Sequence, residues 1–281
     1  MSKVYKWFLH QVLVDRCEAI KLVMNSDKIY GIHPFLQDNS LVAVIPASWT
    51  IDSIKIYQRG VLKNVDLSDK HIINFEGVRI KLYQSEIASV QINTVSGSMN
   101  NINSSIEKSV SESGTMRVVN YDGMVEYDGE LKKIKGRGNG TWRQNQKKPY
   151  NITLPHKTEI LGLKKGKKYC LLANDKDNSH LKNWLALNIA KELGTEYPVE
   201  CEHAAVWFNG RYAGLYLVTN KVDISKSSVD IHDLEESTED VNNIKLKNFL
   251  IIIQVVIILI LGMVFLKSVA LVKELKALVI P

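Results

Sequence analysis

The sequence predicts an α+β protein built as a β-rich N-terminal module, an α+β lobe and one transmembrane helix. Three observations lead there. Residues 20–94 alternate short β-branched and apolar runs with turn residues, the pattern of a small β-sandwich or related β-rich unit. Between 115 and 222, hairpin signals flank one stretch of helical periodicity, Leu181, Leu185, Ile189 and Leu193. Phe249 to Leu266 is eighteen positions without a charge, bounded by Lys247 and Lys267, close to the ~20 apolar residues that cross a bilayer as a helix.

In chain order, Met1 to Val14 carries Lys3 and Lys6, but its apolar run at Trp7 is broken at His10 and Gln11 and stopped by Asp15 and Arg16. That makes a poor signal peptide. Strand-like runs follow at Ile20–Met24, Leu41–Ile45, Ile51–Tyr57, His71–Phe75, Val78–Leu82 and Val90–Ile92, giving a β-rich accessory domain over 1–94. The Ser/Asn-rich stretch Ser96–Ser113 makes 95–114 a linker or long loop. The lobe over 115–222 opens with a hairpin turning at Asp122-Gly123, and a second turns at Asn209-Gly210 between Ala204–Phe208 and Arg211–Val218. Strand-like runs at Tyr150–Leu154, Thr158–Leu163 and Lys168–Ala173 lie between them, and Gly194 ends the helix. Residues 223–247 form an acidic linker, 248–267 the membrane span and 268–281 a short tail.

Composition narrows the partners. A net charge of +6 is spread along the chain without the dense Lys/Arg stripe that phosphate-backbone binding needs, so no nucleic acid is expected. Cys17, Cys170 and Cys201 are odd in number and far apart, which indicates neither a disulfide framework nor a zinc site. A single Cys170–Cys201 bridge stays open for an exported domain.

The stretch most suited to a ligand is Lys135 to Tyr150, which joins glycines at 136, 138 and 140 to Lys135, Arg137, Lys147 and Lys148, with Trp142 and Tyr150 as aromatics. Glycines let a backbone approach an oxyanion, and guanidinium and ammonium groups neutralise it. A purely structural reading stands beside this one: the glycines permit tight turns and the two aromatics brace them from the core.

The order of motifs carries a resemblance. The blocks are Gly136-Arg137-Gly138-Asn139 with Thr141-Trp142; Lys147-Lys148-Pro149-Tyr150-Asn151-Ile152; Leu161-Gly162; Tyr169 with Leu171-Leu172-Ala173-Asn174; Asp177 with Ser179; Leu181-Lys182-Asn183; Glu192-Leu193-Gly194; Tyr197 with Ala204; and Phe208-Asn209-Gly210 with Tyr212 and Gly214-Leu215-Tyr216-Leu217. Together they resemble the N-terminal half of the spore coat protein H (CotH) kinase-like family.

The resemblance implies an atypical kinase-like α+β lobe that uses ATP and Mg²⁺ or Mn²⁺ to phosphorylate serine in surface or spore-coat proteins. It makes Arg137 and Lys148 candidate contacts for the nucleotide phosphates, with Asn139, Asp177 and Asn183 as further candidates. No catalytic residue and no metal ligand is assigned. For Asp177, capping the helix is preferred to a substrate or metal role, with Ser179 as the alternative cap and Asn174 as a loop tie.

The chain departs from the family pattern in three places. Lys182 stands where the family usually has Arg, which loses bidentate geometry. Asn220 stands where an acidic residue often follows the Gly214-Leu215-Tyr216-Leu217 strand. Fewer than about 35 residues separate Leu217 from the apolar run, too few for a second lobe carrying the metal-binding carboxylates. The expected protein is therefore a shortened CotH-type kinase homologue, single-pass in a membrane with its folded part outside the cytoplasm. The alternative is a non-enzymatic, membrane-anchored envelope protein binding a wall polymer or a partner protein.

Overall fold

The computed structural model describes residues 3–24, 30–69, 71–224 and 228–229. The chain opens with helix α1 (Lys3–Ala19), where the sequence had suggested only a failed signal peptide. Leu13 and Cys17 on its C-terminal half pack into the N-terminal module, while Trp7 and Phe8 near its start are exposed.

The N-terminal module holds two sheets. One has the strand order β1-β4-β5 (Lys21–Met24, Ile54–Gln58, Val61–Asn64), the other β2-β3-β8-β7-β6 (Phe35–Gln37, Ser40–Ile45, Val78–Gln84, Ile72–Phe75, Asp66–Asp69). Their shared core includes Leu22, Ile32, Ala43, Ile45, Trp49, Ile56, Ile73 and Ile80. Strict alternation along β8, where Val78, Ile80 and Leu82 are buried and Arg79 and Lys81 are not, is the period of a sheet with one wet face.

The second unit is a closed seven-stranded barrel. Around it run β10 (Ser111–Val119), β11 (Val125–Gly136), β12 (Tyr150–Ile160), β13 (Leu163–Leu172), β15 (Arg211–Asn220), β14 (Cys201–Phe208) and β9 (Ser89–Thr94). All neighbours are antiparallel except β14 and β9, which pair in parallel with Val206 opposite Val90. Val90, Ile134, Ile152, Tyr169, Leu171, Val206 and Val218 fill the interior. On β14 both faces are dry: Ala204, Val206 and Phe208 point into the barrel, while Ala205 and Trp207 join the core of the N-terminal module.

The architecture corrects the expected fold class. The described residues are β-rich, 50% strand and 18% helix, and the lobe is a closed barrel instead of a kinase-like α+β lobe. The physical reason is non-local. Hairpins read one at a time imply an open sheet, and closure depends on β9, which lies before the Ser/Asn-rich stretch and pairs with a strand about 115 residues later. That stretch itself holds the short helix α2 (Asn100–Ser104), with Ile102 fully buried in the barrel core, and the start of β10. Among the described residues no helix is long and apolar enough to cross a membrane; the run 249–266 lies outside them.

Candidate functional site

The glycine-rich stretch begins where β11 ends at Gly136 and continues through a turn into the short helix α3 (Gly140–Gln144). The turn is built on Trp142, which is 2% exposed. Its Nε1 donates to Ser105 O at 2.9 Å, and its ring meets Tyr150 edge-on at 5.9 Å. Gly136 lies against that ring, so closely that a Cβ there would fall 2.5 Å from a ring carbon. Lys108 Nζ ties the turn from outside, donating to Gly138 O at 2.9 Å and Asn139 Oδ1 at 3.1 Å. Arg137 N donates to Pro149 O at 3.1 Å, which leaves its side chain to the neighbouring cleft.

That cleft, about 500 Å³, lies on the outer face of the barrel. Its floor is one row across the sheet: Lys135 opposite Asn151, Asn151 opposite Cys170, Cys170 opposite Thr219. The residues one step along each strand, Ile134, Ile152, Leu171 and Val218, point inward to the core, so strand alternation alone puts the row outside. Arg137, Gly138 and Asn139 form one rim and Asn220, Lys221 and Val222 another, while Leu187 and Val199 supply apolar wall.

The electrostatics are one-sided. Lys108, Lys135, Arg137 and Lys221 line the cleft with a single carboxylate among the described residues, Glu107, and Glu107 is paired with Arg143 at 3.2 Å. Among the described residues no carboxylate forms an ion pair with Lys135, Arg137 or Lys221. Burial raises the Cys170 thiol above its ordinary range, while Arg137, Thr219 and Lys221 pull it the other way. Cys170 Sγ donates to Asn151 Oδ1 at 3.2 Å, which makes the thiol a hydrogen-bonding member of the floor.

The residues proposed from sequence divide into two groups. Arg137 and Asn139 line the cleft. Lys148 does not: its Nζ donates to Trp142 O at 2.5 Å and sits 5.5 Å from the centre of that ring, while its carbonyl accepts from Tyr216 Oη at 3.0 Å. Asp177 and Asn183 lie at the start of helix α4 (Lys182–Glu192). Asp177 Oδ2 accepts the Lys182 amide at 2.9 Å, and its Oδ1 accepts the Ser179 hydroxyl at 2.7 Å. Burial alone would raise this carboxyl, but those donors outweigh it and hold the pKa below the ordinary value. Asn183 Nδ2 donates to Asn174 Oδ1 at 2.7 Å, pinning Asn174 at a φ of 49°.

Sequence reasoning missed Lys108, Asn151, Thr219 and Lys221. A period-2 reading of β11, β12 and β13 places Lys135, Asn151 and Cys170 on their strands' outward faces, but not in one row, because that needs the register. The register also answers the question of the cysteines. Cys170 and Cys201 both stand opposite Thr219, on strands either side of β15, so two strand spacings of ~4.8 Å separate them and a disulfide is out of reach.

The residues present suit phosphate or another polyanion, with guanidinium, ammonium and hydroxyl groups converging beside a glycine turn. They do not suit a divalent metal: no group of three or more His, Cys, Asp or Glu side chains is placed to hold an ion among the described residues.

The CotH kinase protein family matches residues 134–250, from the end of β11 through β15 and beyond the described residues. Over that range the chain is similar to CotH kinase proteins. No curated protein matches it.

Proposed function

We propose that the chain has a kinase-like function of CotH type, and that the cleft beside Arg137 binds the phosphates of ATP. The observation that carries this is the row Lys135, Asn151, Cys170 and Thr219 under Arg137 and Lys221, a cationic site whose only carboxylate among the described residues is already paired with Arg143. Arg137 is the principal contact, since its planar donors can grip two phosphate oxygens at once. Lys135 and Lys221 add charge from the floor and the opposite rim, and Thr219 and Asn151 supply neutral hydrogen bonds. By the family resemblance the acceptor is a serine of a surface or spore-coat protein. No step is assigned to a metal ion.

The same site supports a second reading, in which a polyanion is bound and not transferred. What favours it is that, among the described residues, the cleft holds no carboxylate outside an ion pair, because phosphoryl transfer needs acidic groups to orient the hydroxyl and hold metal. Both readings are tested on the full chain by calorimetric titration with ATP, and by incorporation from labelled ATP with Mg²⁺ or Mn²⁺. Losing one charge-assisted contact costs ~1.5–3 kcal/mol, so Arg137→Ala is expected to weaken ATP binding by roughly 10- to 150-fold. Incorporation abolished by that substitution supports transfer; binding without incorporation supports the anion-binding reading; no ATP binding by the unaltered chain overturns the proposed site.

A further inference from the structure

We propose that the outward face of α4 is a self-association surface on which a second copy of this chain docks antiparallel to the first. The helix carries large apolar side chains on two faces, Trp184 and Leu187 toward the barrel and a second row toward solvent. Toward the barrel it presents Trp184, which stacks on His203 at 6.5 Å, and Asn188, which reaches Cys201 Sγ at 3.6 Å. Toward solvent it presents the leucine row: Leu181, Leu185, Ile189 and Leu193 are 52, 39, 42 and 68% exposed. Four large apolar side chains in one contiguous ridge mark a surface that another molecule covers.

The pattern along the helix selects the occupant. The row is symmetric about Leu187: Leu185 and Ile189 lie two residues to either side of it, and Leu181 and Leu193 lie six. At five residues to either side stand Lys182 and Glu192. A two-fold axis passing near Leu187 therefore sets Leu185 against the partner's Ile189, Leu181 against the partner's Leu193, and Lys182 against the partner's Glu192, twice over. Beside the leucine ridge run Ala186 and Ala190, small residues that leave a groove for the partner's ridge, as when i±4 ridges interdigitate at about −50°.

The charges are available for this. Lys182 holds Asp177 only at 3.9 Å with its side chain 62% exposed, and Glu192 has no ion-pair partner among the described residues. The surface is self-complementary in shape and in charge, which is what an isologous interface requires.

Sedimentation equilibrium of the full chain over a wide concentration range tests this. The expected result is a monomer–dimer equilibrium that Leu185→Asp shifts to monomer. Lys182→Glu and Glu192→Lys each turn two attractive pairs repulsive, so each should weaken the dimer by roughly tenfold, and the double reversal should restore it. The three altered side chains, Leu185, Lys182 and Glu192, are exposed, so circular dichroism should show the fold intact in every variant. A single monomer mass at all concentrations overturns the proposal. So does a dimer indifferent to Leu185→Asp, or association abolished only by removing 249–266. Charge reversals that fail to compensate overturn the antiparallel register.

Discussion

Gly136→Ala tests whether the tryptophan beneath the glycine-rich turn sets its shape. The added Cβ falls 2.5, 2.6 and 2.8 Å from three atoms of the Trp142 ring. Carbon atoms pack at about 3.5–4.0 Å, so the ring must retreat by about 1 Å. It is held on every side: Nε1 bonds Ser105 O at 2.9 Å, Tyr150 meets its edge at 5.9 Å, and Lys148 Nζ lies over it at 5.5 Å. Overpacking at such a site costs ~1–3 kcal/mol, and in a folded unit of this size each kcal/mol lowers Tm by ~2–4 °C.

The control is Gly140→Ala. Nothing lies within 4 Å of a Cβ there, and Gly140 opens α3 without a positive φ. Alanine at that position should stabilise the protein by ~0.4–1 kcal/mol through the unfolded chain. Thermal unfolding followed by tryptophan fluorescence reads both variants, and ATP titration reads the turn, since Arg137 is the next residue. The expected pair is a fall of several degrees with weakened binding for Gly136→Ala, and a small rise with unchanged binding for Gly140→Ala. If both shift Tm in the same direction, the turn is not shaped by Trp142 and the reasoning fails.

Two further outcomes follow from the packing around the cleft. Asp177→Ala removes the carboxylate that accepts the Lys182 amide and the Ser179 hydroxyl and should lower stability at neutral pH by ~0.5–2 kcal/mol. Because the folded carboxyl is held below its ordinary value, its contribution is present above the unfolded pKa of ~3.9 and disappears as pH falls through the folded one. Urea midpoints of the two proteins should therefore converge only in acid, and a constant gap down to the lowest pH would exclude the assigned role. Oxidation of the purified chain, followed by peptide mapping without reductant, should yield no Cys170–Cys201 link; finding one would mean that β15 does not separate them.

Much of the fold was legible in the sequence because it is local. The β8 alternation of Val78, Ile80 and Leu82 reads directly as a strand with one buried face, and Asn209-Gly210 joins β14 to β15 as its turn chemistry demands. What was not legible is the closing pair. Val90 and Val206 look alike whether they meet in parallel or not, and no turn links them to announce the pairing. Helix α4 marks a different limit. The spacing of Leu181, Leu185 and Ile189 predicts a helix, and a helix is there, but periodicity cannot say which way the stripe points. Here the barrel takes Trp184 and Asn188 and leaves the leucines outside.

The candidate site divides along the same line. Arg137 and Asn139 were readable because they sit in one continuous motif, whereas Lys148, adjacent in type and spacing, is spent on the Trp142 carbonyl. The floor comes from four strands that no motif joins, and only the register of β11, β12, β13 and β15 makes it a single surface. Charge on that surface is thus a property of the barrel as much as of the glycine turn. A substitution that slips β12 by one residue would turn Asn151 inward and Ile152 outward. It would dismantle the site without touching Arg137.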